Sequence, residues 1–593
     1  MKKVISFFLA LLLTVPLLAV SVHAANEIDI PPPIITDTLQ TVMEENTEAT
    51  TRVAILLKDI DTDEALATNA MPTYQERLAF VIETEENSTE TNDIDRGIEV
   101  KRAALNLCYE PYTANVGEEL LTDDEIVYAS RYLPLVIADL TDERVEEIAE
   151  NVTVEKMDYY NDRSIDDPGV TPPDDGQRYP DEYDYTDYTI EDNFAYVNGT
   201  NLRNSMTASD NVKIGVIDHG NPLPGIVNNI VLHHANVNPI DHTSDVFRVL
   251  VNAAPYAQFY SAPYETLPEA TFVSEMDWLL ENKVHVINAS RSLGDTLDGN
   301  NEYGYISQYI DRVISLYDVV IVKSSGNLGS SGITSGGMAY NAIVVGNYYR
   351  DEGGIFYTSS YYSNPAYNTT KLARKPDLCA PGVYDDGSVP DKDVIGTSFS
   401  TPLVAGIVAL LMAYDDTLKS DPNLVKAILL AGVRVGDTVH HYDPTDAMYH
   451  MYGAGIVDAQ RAFEIVQDGT YIQSSVGQSY TEVYHNNIWL SDVPLTRIAL
   501  SYERMCTVND PEEPTDPYRL MHDLDLYIYL NGESIISSLG VKDTKRILEF
   551  TAPSFAAYTI FIEAWEGECL DTERPVNSIP YAIAWYQYIG SGD

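Results

Sequence analysis

Gly396-Thr397-Ser398-Phe399-Ser400-Thr401-Pro402, continuing as LVAGIVALLMAY to Tyr414, is the stretch on which the reading of this chain turns. A turn of small and hydroxylated residues runs into a dozen uncharged, mostly apolar ones. A helix made from that run is apolar on every side, which predicts a central helix buried in a protein interior; it is too short and too enclosed to span a membrane. Ser398 then lies at the helix N-terminus, where unpaired backbone N–H groups and the helix dipole favour a developing negative charge. That suits a serine nucleophile whose attack creates an oxyanion. The same residues also read as a hydroxyl cap followed by a first-turn proline, Pro402.

Around this stretch, from about 190 to 468, short apolar runs alternate with amphipathic ones. VKIGVID (212–218), AQFYSA (257–262), KVHVINAS (283–290), VVIVKSSG (319–326) and AIVVGNY (342–348) read as fully buried strands. ETLPEATFVSEMDWLLENK (265–283) and GYISQYIDRVISLYD (304–318) carry helical spacing. The alternation predicts an α/β domain, a parallel sheet covered by helices, with functional residues at the carboxyl ends of the strands.

The flanks differ. Residues 1–24, MKKVISFFLALLLTVPLLAVSVHA, combine two lysines, an apolar run and small residues before a cut after Ala24, the pattern of a secretory signal peptide. The expected location is therefore outside the cell or at its surface, with no membrane span. Residues 25–163 form a small α+β unit: TRVAILLKDI (51–60), LPLVIADL (133–140) and VTVEKMDYY (152–160) read as strands, and TDERVEEIAENV (141–152) as a helix capped by Thr141. Residues 164–189 are an acidic Pro/Gly linker. Residues 469–593 lose the helical pattern, and period-two runs such as DLDLYIYL predict an all-β sandwich or jelly roll.

With 91 acidic against 36 basic residues and a formal net charge of -55, the chain would repel nucleic acid and anionic membranes. Its four cysteines match no zinc motif; Cys506 and Cys569 fall in one region, and whether they pair is left open. No cofactor is required. The carboxylates leave room for structural calcium, although no D-x-D-x-D-G loop occurs.

GTSFSTP resembles the nucleophile motif of the subtilases, the subtilisin-like serine proteases. In family order, VKIGVIDHG (212–220) resembles the aspartate strand and SSGNLG (324–329) the oxyanion-asparagine loop; RKPDLCAPG (374–382) resembles the segment before the nucleophile, and GAGIVDAQRAFE (453–464) the closing helix. The resemblance implies Ser398 as nucleophile, Asp218 as the orienting carboxylate and Asn327 as oxyanion donor. His242 is the implied base. The family's His-Gly-Thr-His-Val-Ala is matched only by His242-Thr243-Ser244-Asp245-Val246-Phe247, but His242 lies 13 residues before Pro255 of a strand resembling Ala-Pro-x-Ala, the family's spacing. His219 would point away from Asp218 along an extended chain, His233 and His234 remain substitutes, and His285 reads as a core residue. Asp245 either raises the pKa of the imidazole or faces solvent.

The resemblance further implies that Ser290, Ser324 and Gly326 edge the pocket for the residue before the scissile bond. Arg291 is an edge charge that either biases toward acidic substrates or is simply solvated. It implies a propeptide-like N-terminal unit with an unusually long insertion (about 61–130), acting as intramolecular inhibitor, and protein or peptide substrates. The expectation is a secreted serine endopeptidase; the alternative is a catalytically inactive subtilase-fold binding or adhesion protein.

Overall fold

The computed structural model describes residues 34–45, 49–58, 93–160, 188–205, 212–264, 271–291, 303–329, 332–334, 336–349, 354–355, 374–385, 393–434, 451–477, 482–493, 495–504, 522–539, 543–566 and 578–588. The signal segment, nearly all of the linker, and Cys506 and Cys569 lie outside them.

Val286 and Ile287, Val320 and Ile321, and Ile343 and Val344 alternate between two hydrophobic cores, one on each face of a single sheet. Strands apolar on both sides are stable only when helices cover both faces, which is why these runs lack polar alternation. The sheet has eight strands among the described residues. From one edge the order is Ile230–Leu232, Gln258–Pro263, Lys213–Asp218, Val286–Ala289, Val320–Ser324 and Ile343–Tyr349. The last of these pairs with Leu378–Pro381 and with the short Gly354–Ile355, the one antiparallel member. From Lys213–Asp218 the chain goes to one edge, returns, and then builds outward on the other side. The carboxyl ends flanking this reversal are where α/β sheets form clefts.

Helices Asp241–Ala253 and Thr397–Tyr414 contribute to the core on one face; Phe272–Glu281 and Tyr305–Tyr317 contribute to the other. Thr397–Tyr414 is long as well as apolar enough to cross a membrane, so the expectation that it is too short fails; 89% of it is buried inside the protein. It begins at Thr397, so Pro402 is its sixth residue and not in the first turn. A proline there leaves the Ser398 carbonyl without its usual helical donor, while Thr401 Oγ1 donates to the Thr397 carbonyl at 2.7 Å.

The N-terminal unit is a five-stranded sheet in the order Ile34–Ile35, Val154–Tyr159, Thr51–Leu57, Leu135–Leu140, Ile126–Ala129. Thr141 caps its helix Asp142–Ala149 by accepting from Arg144 N. Inside the expected insertion lies a 28-residue helix, Asp93–Leu120. Its buried Arg102 donates to the Tyr317 and Val284 carbonyls at 3.0 and 2.8 Å, tying the unit to the α/β domain. Asp277, wholly buried on Phe272–Glu281, accepts from Tyr128 Oη, Ser130 Oγ and Arg131 N at 2.8–2.9 Å.

The C-terminal domain packs two four-stranded antiparallel sheets around one apolar core. Its Ala499, Ile547, Ala582 and Ala584 join the core of the α/β domain. Lys545 reaches across to the buried Asp377 at 2.9 Å, beside Lys375 (2.7 Å) and Lys426 (3.5 Å). Burial alone would raise the Asp377 pKa, but the three ammonium groups hold it well below the usual range. Burial pushes Lys375 down to about 7. The chain thus places many cations inside: twelve Lys and Arg residues are buried among the described residues.

Candidate active site

Asp218 ends its strand with the carboxylate 1% exposed. One oxygen accepts the backbone N–H of His219 at 2.7 Å, and the two lie 3.1 and 3.2 Å from His242 Nδ1. His242 is the second residue of helix Asp241–Ala253, and its ring is partly exposed. The helix start is pinned to the loop after Asp218. Thr243 Oγ1 accepts Gly220 N at 3.4 Å, Ser244 Oγ accepts Leu223 N at 2.9 Å, and the Asn221 carbonyl accepts Ile240 N at 2.9 Å. A side chain at Gly220 would put Cβ 2.8 Å from Ile240 and 2.9 Å from the Asn238 carbonyl, so this close approach requires glycine. Thr243 and Ser244, the departures from the family pattern, are therefore the residues that fasten His242 beside Asp218.

Asp245 does not face solvent: it is 3% exposed and pairs with Arg248 one turn along its own helix. The chain bends after Asp218, and the His219 ring lies edge-on to His242 with centroids 6.1 Å apart. His233 and His234 bond a different carboxylate, Glu275. His285 is buried as expected, but its Nε2 faces Asp95 of the N-terminal unit at 3.2 Å.

Ser398 is the second residue of the buried helix, where helical N–H groups lack intrahelical acceptors. The ring of Phe399, which follows it, packs 5.4 Å from that of His242. The Ser398 hydroxyl donates to the Ser290 carbonyl at 2.7 Å. Asn327 stands against the same turn. Its Oδ1 accepts both Thr397 N and Thr397 Oγ1 at 3.0 Å, which orients the amide and leaves Nδ2 as the outward donor. Nδ2 lies 3.4 Å from where a Cβ on Gly396 would stand. Thr397 is a positioning residue that sequence reasoning missed, although its place inside GTS was the available signal.

Ser290, Ser324 and Gly326 are all buried at the carboxyl ends of neighbouring strands. Lys323 staples the two edges: Nζ donates to the Arg291 carbonyl (2.5 Å), the Ser324 carbonyl (2.9 Å) and Ser324 Oγ (3.0 Å). The Gly326 carbonyl lies 3.2 Å from Thr397 Oγ1, sharing that hydroxyl's one proton with Asn327 Oδ1. Arg291 is 4% exposed, so the solvated reading of this side chain fails.

Comparison with known proteins adds to this geometry. Residues 185–455 match the subtilase family. Pyrolysin of Pyrococcus furiosus is 29% identical over 215 residues, 30% of this chain and 15% of pyrolysin. Subtilisin DY of Bacillus licheniformis is 24% identical over 229 residues, 38% of this chain and 74% of its own. Subtilisin NAT of Bacillus subtilis subsp. natto is 28% identical over 148 residues, 24% of this chain and 35% of its own. The match thus spans a small part of pyrolysin and about a third of Subtilisin NAT. Among solved structures, the epidermin leader peptide processing serine protease of Staphylococcus aureus aligns with a TM-score of 0.41 at 15% identity, covering 60% of this chain and 95% of that one. The prenylagaramide maturation protease PagA aligns with a TM-score of 0.35 at 19% identity, covering 45% and 98%. Residues 185–455 of this chain thus form a subtilase-family segment.

Proposed function

We propose that the chain is a serine endopeptidase in which Ser398 is nucleophile, His242 base, Asp218 its orienting partner and Asn327 an oxyanion donor. The observation that carries this reading is the 3.1 Å contact between His242 Nδ1 and the buried Asp218, beside the helix start that bears Ser398. Ser398 Oγ attacks the peptide carbonyl and its proton passes to His242 Nε2; Asp218 fixes the tautomer and stabilises the imidazolium. Asn327 Nδ2 and the Ser398 N–H donate to the oxyanion. His242 then protonates the leaving amine, and water releases the acyl group by the same route.

The resting hydroxyl bonds the Ser290 carbonyl, an acceptor that a substrate backbone N–H would compete for. Substrate docking on that edge frees Ser398 to turn toward His242. The hydrogen bonds of the N-terminal unit to helix Phe272–Glu281 support its proposed role as an intramolecular inhibitor, and the segment 1–24 supports export.

One observation favours the inactive binding protein instead: Ser398 donates to a carbonyl and not to an imidazole. Peptide turnover and fluorophosphonate labelling of the mature protein distinguish the two. Expected is cleavage and labelling by the wild type, with Ser398→Ala losing both and kcat falling roughly 10⁶-fold. A wild type that neither cleaves nor labels would sink the protease reading, and labelling unchanged in His242→Ala would move the base elsewhere.

A further inference from the structure

Glu275 lies on helix Phe272–Glu281 with its carboxylate fully buried, and its two oxygens meet two consecutive histidines. Oε2 is 2.7 Å from His233 Nδ1 and Oε1 is 3.0 Å from His234 Nε2. Adjacent residues of an extended chain project to opposite sides. Here the chain bends just past the edge strand Ile230–Leu232, and both rings turn to one carboxylate with centroids 3.9 Å apart. A buried carboxylate needs a counter-charge, and a divalent ion seated between the carboxylate and the two ring nitrogens supplies one.

We propose that His233, His234 and Glu275 form a transition-metal site of the zinc class. The donor set of two imidazoles and one carboxylate suits zinc and disfavours calcium, which takes oxygen ligands. Zinc–ligand bonds of about 2.0–2.2 Å at tetrahedral angles put donors roughly 3.3 Å apart. The donor atoms here already lie within 4.8 Å of one another, and the bonded pairs need open by less than about 1 Å. His233 and His234 side chains are 27% and 28% exposed, so an ion has a route in and a solvent-facing fourth position.

The ligands are held from behind, as metal ligands are. His233 N donates to the Ser261 carbonyl at 3.0 Å, and the His233 ring stacks on Trp278 at 4.5 Å. Asn221 Nδ2 donates to the His234 carbonyl at 2.8 Å, while the Asn221 carbonyl accepts Ile240 N. An ion at this site thus braces the whole loop from Asp218 to the helix of His242, whether or not the protein is a protease.

The test uses the full chain carrying Ser398→Ala, purified without a metal-affinity tag, dialysed against zinc and read by metal content, Tm and tryptophan emission. It is compared with the same chain carrying His233→Asn and His234→Asn. Expected is one more zinc equivalent in the parent, a zinc-dependent rise in Tm that the double variant lacks, and a change in emission from Trp278. Equal zinc content and equal Tm response in the two proteins would overturn the site. A folded Glu275→Gln variant that keeps the extra equivalent would overturn the carboxylate ligand. If Glu275→Gln does not fold, the partly exposed histidines carry the test.

Discussion

Thr397 and Asn327 carry the sharpest prediction at the scale of single residues. Because Thr397 holds Asn327 Oδ1 by two hydrogen bonds, Asn327→Ala should lower kcat by about 10²–10³-fold with KM little changed. Ser244→Ala strips Leu223 N–H of its partner; it should cost about 1 kcal/mol in urea unfolding and lower activity further by loosening His242. Ser398 and Asp218 were legible in the sequence because their neighbours in the chain carry the signal. Thr243 and Ser244 read only as departures from a pattern. Their partners, Gly220 and Leu223, are more than twenty positions away, and no local spacing encodes that contact.

Among the elements, the two helices that bear the proposed chemistry pack against each other, most closely at Gly406. A Cβ on Gly406 of Thr397–Tyr414 would lie 2.4 Å from Ala253 Cβ at the end of Asp241–Ala253. Gly406→Val must push them apart at a cost of about 1–3 kcal/mol. Since Ser398 and His242 stand at the starts of these helices, kcat/KM should fall by more than the loss in Tm accounts for; a parallel assay of both decides. Five buried strands and two amphipathic helices of the α/β domain were readable because periodicity reports which faces are covered. Helix Asp93–Leu120 was not. It contains Pro111 and is wedged between its own sheet and the α/β domain, as Val116 and Arg102 each packing to a different side indicate, so no single apolar stripe marks it.

For the whole molecule, the docking of the N-terminal unit is one place where pH acts. Burial raises Asp277 to about 6, favouring its protonated form, so this contact weakens as pH rises from about 4 to 6. Burial lowers His285 to about 4, favouring its neutral form despite Asp95, so docking loses stability as pH falls from 6.5 toward 4. The two slopes oppose each other and largely cancel. In the Ser398→Ala chain, Asp277→Asn should therefore make Tm climb with pH across 4–6.5 relative to the parent, and His285→Gln should make it fall; identical profiles in all three would refute the balance. None of this docking was legible in the sequence, because burial between domains leaves no periodic trace. The buried cations reach further. Among the described residues twelve basic and ten acidic ones are buried, so the buried set is near neutral and does not hold the chain's acidic excess. The exterior is left with few positive groups to answer its carboxylates, and it behaves as a polyanion wrapped around a neutralised interior. Added sodium chloride shortens the reach of charge from about 10 Å at 0.1 M to about 3 Å at 1 M. It quiets the outer repulsion and leaves the inner pairs, such as Lys545 with Asp377, untouched. Brine should therefore firm this protein, and its melting temperature should climb with salt.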